Sequence, residues 1–225
     1  MIEPMIDIVR HPTARALRLS VDPATGRVRL VVPRRAALKP AIAWAQGKRD
    51  WIERQRAALP QAVPDAPGVR MCVADEPVEI VRDEGPRRAL VRDGERLLVA
   101  GPIDTMPRRV EAWLKRVALG QLTSDTAEFA AKAGVSVSQV AIGDARGRWG
   151  SCSGSGTIRY SWRLILAPGW VRRATVAHEV AHRVHMNHGR EFHALVATLL
   201  GDDPAPARAW LARHGAALHW VGRSS

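Results

Sequence analysis

The stretch Thr175-Val176-Ala177-His178-Glu179-Val180-Ala181-His182-Arg183-Val184-His185-Met186-Asn187-His188-Gly189 decides how this chain is read. It carries the pattern H-E-x-x-H within an uninterrupted helical rhythm. Two histidines four apart lie on one helix face with Cβ atoms about 5–6 Å apart, so His178 and His182 can reach one metal ion at about 2.0–2.1 Å. Glu179 follows the first of them and can face the metal's water without itself ligating. A zinc ion would lower the pKa of that water to about 7, and Glu179 would take its proton as hydroxide attacks a polarised carbonyl. The bare pattern arises by chance in roughly one chain in a hundred of this composition. Its context reduces that risk, because Val176, Ala177, Val180, Ala181 and Val184 supply the opposite, packing side of the helix.

A catalytic zinc needs a third protein ligand and an open fourth position. The candidates are His185, His188, Glu191 and His193. On a continuing helix His185 lies about 4.5 Å further along the axis than His182, away from the metal, and reads as a solvated or capping side chain. His188 is favoured: its neighbours Asn187 and Gly189 tolerate the left-handed conformation that ends a helix and turns the chain back, which brings the imidazole in from the side. Glu191 and His193 fall in the first turn of the next helix and need its start to swing over the metal. Glu191 has the further option of orienting a ligand or serving that helix N-terminus.

Working outward, Ala167-Pro168-Gly169 opens the helix, which is expected to span about Trp170 to His185. A second helix carries Phe192, Leu195, Val196 and Leu199 on one face and stops at Gly201, and a last one covers about Pro206 to His214. Upstream, Val137–Ile142 reads as a strand. After a glycine-rich turn, Ile158, Tyr160, Trp162 and Leu164 alternate with Arg159, Ser161 and Arg163, the pattern of a β-hairpin with one apolar face. A long helix is expected from Pro107 toward Gly134, with Val110, Leu114, Val117, Ala118 and Leu122 inward.

The first hundred residues read as a small β-rich unit with one helix. Leu17, Leu19 and Val21 form a hairpin with Val28–Val32 across a Pro/Gly turn, and short strands are expected around Val78–Val81, Ala89–Val91 and Leu97–Val99. The helix starts near Pro40 and runs to Pro60, with Ile42, Trp44, Trp51, Ile52 and Leu59 at roughly helical spacing and both tryptophans assigned to core packing. The expected organisation is therefore α+β: residues 1–102 as the β-rich unit, and 103–225 as a domain whose H-E-x-x-H helix packs on a small antiparallel sheet.

Three segments extend the match beyond the histidines: Gly147-Arg148-Trp149-Gly150-Ser151-Cys152-Ser153, Tyr160-Ser161-Trp162-Arg163-Leu164-Ile165-Leu166-Ala167-Pro168, and Asn187-His188-Gly189-Arg190-Glu191-Phe192. In this order, with H-E-x-x-H between the last two, the chain resembles the YgjP-like metallopeptidases, relatives of the SprT-like and WLM zinc proteases. The resemblance covers nearly the whole chain. It implies a zincin-like α+β fold, one zinc ion held by His178, His182 and His188, Glu179 as catalytic base, and a protein or peptide substrate paired by its backbone to the strand before the active helix. Three positions depart from the family pattern: Ser161 for a common Asn, Gly189 for a frequent Ser, and His193 for a Trp. None removes a ligand or the base, while His193 leaves a second imidazole near the metal.

With 46% apolar and 25% charged residues the chain has the composition of a soluble globular protein. No segment approaches the roughly 20 apolar residues that span a bilayer, and the N-terminus lacks the apolar core of a secretory signal. Cys72 and Cys152 are too few and too far apart for a disulfide framework, so a cytoplasmic setting is expected. Cys152 reads as a small buried thiol, and no role as oxyanion stabiliser is assigned to Tyr160.

The net charge of +12 is split evenly, +6 in residues 1–110 and +6 in 111–225. Its one local concentration is Arg146, Arg148, Arg159, Arg163, Arg172 and Arg173, against Asp144 alone, just ahead of the H-E-x-x-H helix. This segment suits acidic substrates or proteins held on nucleic acid, or else it supplies ordinary structural ion pairs. The principal expectation is thus a zinc metallopeptidase. The alternative is a basic nucleic-acid-associated protein with a structural or vestigial zinc site.

Overall fold

The computed structural model describes residues 6–85 and 90–223, and the chain divides into two compact units, 1–61 and 62–225. Among the described residues no helix is long and apolar enough to cross a membrane.

In the first unit, β1 (Ile6–His11), β2 (Arg18–Val21) and β3 (Val28–Pro33) form a three-stranded sheet in the order β1-β3-β2. The expected hairpin is present: β2 runs antiparallel to β3, and the Asp22 carboxylate and carbonyl accept the Ala24 and Gly26 amides in the turn, with Gly26 at φ 70°. β1, not foreseen, lies parallel to β3 on its other side. The single helix expected between Pro40 and Pro60 is two, α1 (Leu38–Gln46) and α2 (Arg49–Ala57). The break falls at Gly47-Lys48, where glycine weakens the helix and the Lys48 amide bonds back three residues to Ala45 instead of four. Leu30 and Val32 of β3 pack on Ala41 and Ala45 of α1. This corrects the assignment of the tryptophans, since Trp44 is exposed and Trp51 only half-buried; the small alanines, not the large rings, face the sheet.

The second unit opens with β4 (Arg70–Val73), β5 (Glu76–Asp83), β6 (Val91–Asp93) and β7 (Arg96–Ala100), in the order β4-β5-β7-β6 with β5 and β7 parallel. Two of the expected strands lie within β5 and β7. Of the third, Ala89 is outside the described residues and Val91 begins β6. α3 (Met106–Ala133) is continuous through Gly120 and stops at Gly134, which takes the left-handed conformation. Val110, Leu114, Ala118 and Leu122 are fully buried along it.

Val73, Val78, Ile80, Leu97 and Val99 share one core with α3 and with the elements that follow. For this reason the break in compactness falls at Gln61/Ala62, earlier than the expected division after Pro102. Cut at the compact boundary, the charge is also uneven: 12 basic and 5 acidic side chains in 1–61, and 22 and 17 in 62–225.

After α3 come β8 (Gln139–Gly143), β9 (Gly150–Cys152), β10 (Thr157–Ser161), a 3₁₀ turn (Trp162–Leu166), and then α4 (Gly169–Ala181), α5 (Arg190–Leu200) and α6 (Ala205–Leu218). The fold is mixed α+β. The sheet against α4 is itself mixed, not antiparallel as expected: β9 and β10 form the antiparallel hairpin, and β8 takes the hairpin's free side in parallel, so the order is β8-β10-β9. β10 ends at Ser161, and Trp162, Arg163, Leu164 and Ile165 are all buried in the turn after it, beyond where strand alternation applies.

Candidate metal centre

α4 is held at its N-terminal end by charge. The turn between β4 and β5, with Ala74 at φ 53° and Asp75 at φ 69°, presents the Asp75 carboxylate to the Gly169 amide at the helix start. A Cβ on Gly169 would stand 2.9 Å from the Asp75 carboxyl carbon, so glycine permits this cap. One turn later Arg172, buried, donates to the buried Asp125 of α3 at 2.8 Å and lies 3.4 Å from Asp75. Arg173 forms a bidentate pair with Glu128, both bonds 2.7 Å.

The C-terminal end carries His178, Glu179 and His182. The helix stops at Ala181, one turn short of the expected His185, and His182 is its cap residue. No residue from 182 to 189 takes a positive φ, so the left-handed turn expected at Asn187 or Gly189 is absent; Gly189 is extended and begins α5. The chain still turns back. The His178 and His188 Nε2 atoms are 3.2 Å apart, and ring nitrogens of His178, His182 and His188 all lie within 4.8 Å of one another. Two nitrogens bound tetrahedrally at about 2.0–2.1 Å from a zinc ion would be about 3.3–3.4 Å apart.

Phe192, fully buried on α5, underlies this cluster with its ring centroid 4.9, 4.6 and 4.7 Å from those of His178, His182 and His188. The His182 Nδ1 lies 3.1 Å from the His185 carbonyl, a contact that assigns the proton to Nδ1 and leaves Nε2 with its lone pair. His185 therefore contributes through its backbone, which its side-chain chemistry gave no means of reading. Glu191 and His193 do not join the cluster. Glu191 is exposed, 3.9 Å from the His185 ring, and the His193 centroid is 6.3 Å from that of His188.

Burial governs the ionisation of this end. It pushes the His178 imidazole down to about 4, with the neighbouring His182 and His188 adding to the fall, and it also lowers His182. Neutral imidazoles are the form that ligates metal. Glu179 is buried with no hydrogen-bond partner among the described residues, and burial pushes its carboxyl up to about 7, against the opposing charge of Arg148. The carboxyl lies directly on the backbone of β9: a Cβ on Gly150 would stand 2.6 Å from the Glu179 Cγ and 2.7 Å from its Cδ. Gly150 falls in the stretch whose glycines suggest a turn, yet it opens β9.

Three of the six concentrated arginines are structural. Arg163 is bidentate to Asp144 and donates to the Leu218 and Val221 carbonyls, and Arg172 and Arg173 are paired as above. The segment is therefore not a free basic strip, and nothing here supports nucleic-acid binding through it. Tyr160 is buried with its hydroxyl 3.0 Å from the Thr126 hydroxyl. Cys152 is half-buried on β9, and burial raises its thiol pKa, the opposite of an activated nucleophile. β10, the strand expected to pair with substrate, is bonded on both sides; β9 is the edge strand beside α4.

An α+β unit that assembles three imidazoles beside a buried carboxylate is of the metal-dependent hydrolase kind. The family model described as YgjP-like, metallopeptidase domain, matches residues 15–214, and the chain belongs to the YgjP-like family. Neither among curated proteins nor among solved structures does any significant match occur.

Proposed function

We propose that this protein is a zinc-dependent peptidase in which His178, His182 and His188 hold the metal and Glu179 is the general base, the arrangement of a zincin. The observation that carries the reading is the convergence of three imidazoles with Nε2 atoms as close as 3.2 Å, next to a buried carboxylate without a protein donor. The donor set suits zinc: neutral imidazole is among its preferred ligands, and three protein ligands leave a position open. When bound, zinc supplies Lewis acidity, activating water near neutral pH and polarising a carbonyl.

The chain's own residues supply the rest. Glu179 accepts a proton from the attacking water and returns it to the leaving amine, a role helped by a carboxyl poised near neutrality. Gly150 lets that carboxyl lie against β9, and Phe192 with the His185 carbonyl keeps the imidazoles aligned. The open edge of β9 offers backbone donors and acceptors to an extended peptide.

Elemental analysis of the purified protein, paired with peptide hydrolysis before and after 1,10-phenanthroline, tests this. About one zinc per chain and hydrolysis lost to chelator and restored by zinc are expected. A metal-free active protein, or full zinc retention by His182→Ala, refutes it.

A further inference from the structure

Next to His178 and Glu179 a cavity of about 260 Å³ opens between β9, α4 and the first turns of α6. One wall is apolar: Trp149, Ala174, Ala207 and Leu211. Two arginines also line it, Arg148 before β9 and Arg208 on α6. Unlike Arg163, Arg172 and Arg173, neither side chain has a hydrogen bond or ion pair among the described residues. The acids nearest in sequence to Arg208, Asp202 and Asp203, are engaged with backbone amides in the turn before α6. Glu179 is the one acid lining the cavity.

We propose that this cavity is a substrate subsite selecting a carboxylate on a residue adjacent to the scissile bond, with Arg148 and Arg208 as its specificity residues. The inference rests on the peptidase reading above and adds its substrate class. At about 30 Å³ per water the cavity has room for roughly eight waters, enough for a carboxylate on a short aliphatic stem. The stem lies on the Trp149–Leu211 wall, and the carboxylate meets two guanidiniums that hold no ion pair among the described residues. An aspartate or glutamate side chain and a free peptide C-terminus share this chemistry.

The test uses the zinc-loaded full chain and fluorescein-labelled alanine hexapeptides with Glu, Gln or Lys as the fourth residue, each with a free or amidated C-terminus. Binding is read by anisotropy on Glu179→Gln, and cleavage by mass spectrometry on the otherwise unaltered chain. Binding of a carboxylate-bearing peptide about tenfold or more tighter than its neutral counterpart is expected, lost when Arg148→Gln and Arg208→Gln are added and kept with Arg213→Gln, an arginine on α6 outside the cavity. A preference that follows the Glu side chain assigns the side chain as source; one that follows the free terminus assigns the C-terminus.

Arg208→Glu should turn the preference toward the Lys peptide, a gain that misfolding cannot mimic. Equal binding of the Glu, Gln and Lys peptides irrespective of the terminus, or a carboxylate preference that survives loss of both arginines, overturns the proposal. Cleavage without carboxylate preference defeats the subsite and leaves the peptidase reading intact. Arginine-dependent carboxylate binding with no cleavage of any peptide supports the subsite and defeats the peptidase reading.

Discussion

The two ends of α4 treat charge in opposite ways. At the N-terminal end every ionised group has a partner: Arg172 with Asp125 and Asp75, and Arg173 with Glu128, whose carboxyl is held down to about 2 chiefly by the Arg173 hydrogen bonds. At the C-terminal end Glu179 is buried with no hydrogen-bond donor among the described residues, and three imidazoles, half-buried at His178 and His182 and exposed at His188, face one another with no acid among them. Buried groups left unmatched cost stability, so one that lies beside converging ligands marks chemistry, whereas matched ones hold the scaffold. The difference separates the anchor of the helix from its working end without reference to any relative.

The sharpest way to break this contrast is Glu179→Gln. Turnover should fall by about 10²–10⁴-fold while the melting temperature holds or rises, because a desolvated carboxylate is replaced by a neutral amide. A large loss of stability in a thermal melt would place Glu179 with the scaffold. At the other end, Arg172→Ala should cost about 3 kcal/mol in urea unfolding, since it removes the buried charge partner of Asp125 and leaves that carboxylate only the Gln121 amide and Arg173 at 3.7 Å. The double variant Arg172→Met with Asp125→Leu should recover most of that loss, and failure to do so would mean the pair is not acting as a matched unit.

Gly150→Ala is a finer test. The added methyl must displace the Glu179 carboxyl, and a shift of about 1 Å is expected to lower kcat by about 10²-fold with zinc content unchanged. Undiminished kcat would show that the contact with β9 does not set the position of the base.

The smallest effect concerns Asp65, which shares the raised pKa of Glu179 but lies far from it in sequence, in the segment before β4. Burial pushes its carboxyl up to about 6, Glu111 adding to the rise and Arg163 opposing it, and its Oδ1 is buried without a partner. The folded state thus binds the proton more tightly than the unfolded chain, and stability falls as pH rises between about 4 and 6. Asp65→Asn should stabilise the protein by about 1–2 kcal/mol above pH 6, with the gain gone below pH 4, measured by urea unfolding across that range. Unchanged hydrolysis in this variant would confirm that a raised carboxyl marks function only beside converging ligands.

Local pattern carried the elements furthest. The α3 periodicity from Val110 to Leu122, the β2–β3 hairpin and the stop at Gly134 rest on neighbours within a few residues, which sequence spacing reports directly. Reading failed where a distant partner decided. Nothing local in Trp44 says that Ala41 and Ala45 will take the sheet-facing side, and nothing in Arg163 or Arg172 reveals the aspartates of other elements. The parallel pairing of β8 with β10 likewise depends on a crossover that no short pattern encodes.

By itself the sequence determined that His178, Glu179 and His182 would share one helical segment, because a period of 3.6 residues leaves no other arrangement for that spacing. It also carried the family, through motifs distributed over most of the chain. Tertiary structure brought His188, the ligand the sequence favoured, to the other two imidazoles and kept Glu191 and His193 out, and it alone decided that Gly150 gives the Glu179 carboxyl its room and that Arg148 and Arg208 have no side-chain partner among the described residues beside it. These are outcomes of how β9, α4, α5 and α6 pack. Packing depends on volumes and charges brought together from across the chain, so spacing along it cannot report them.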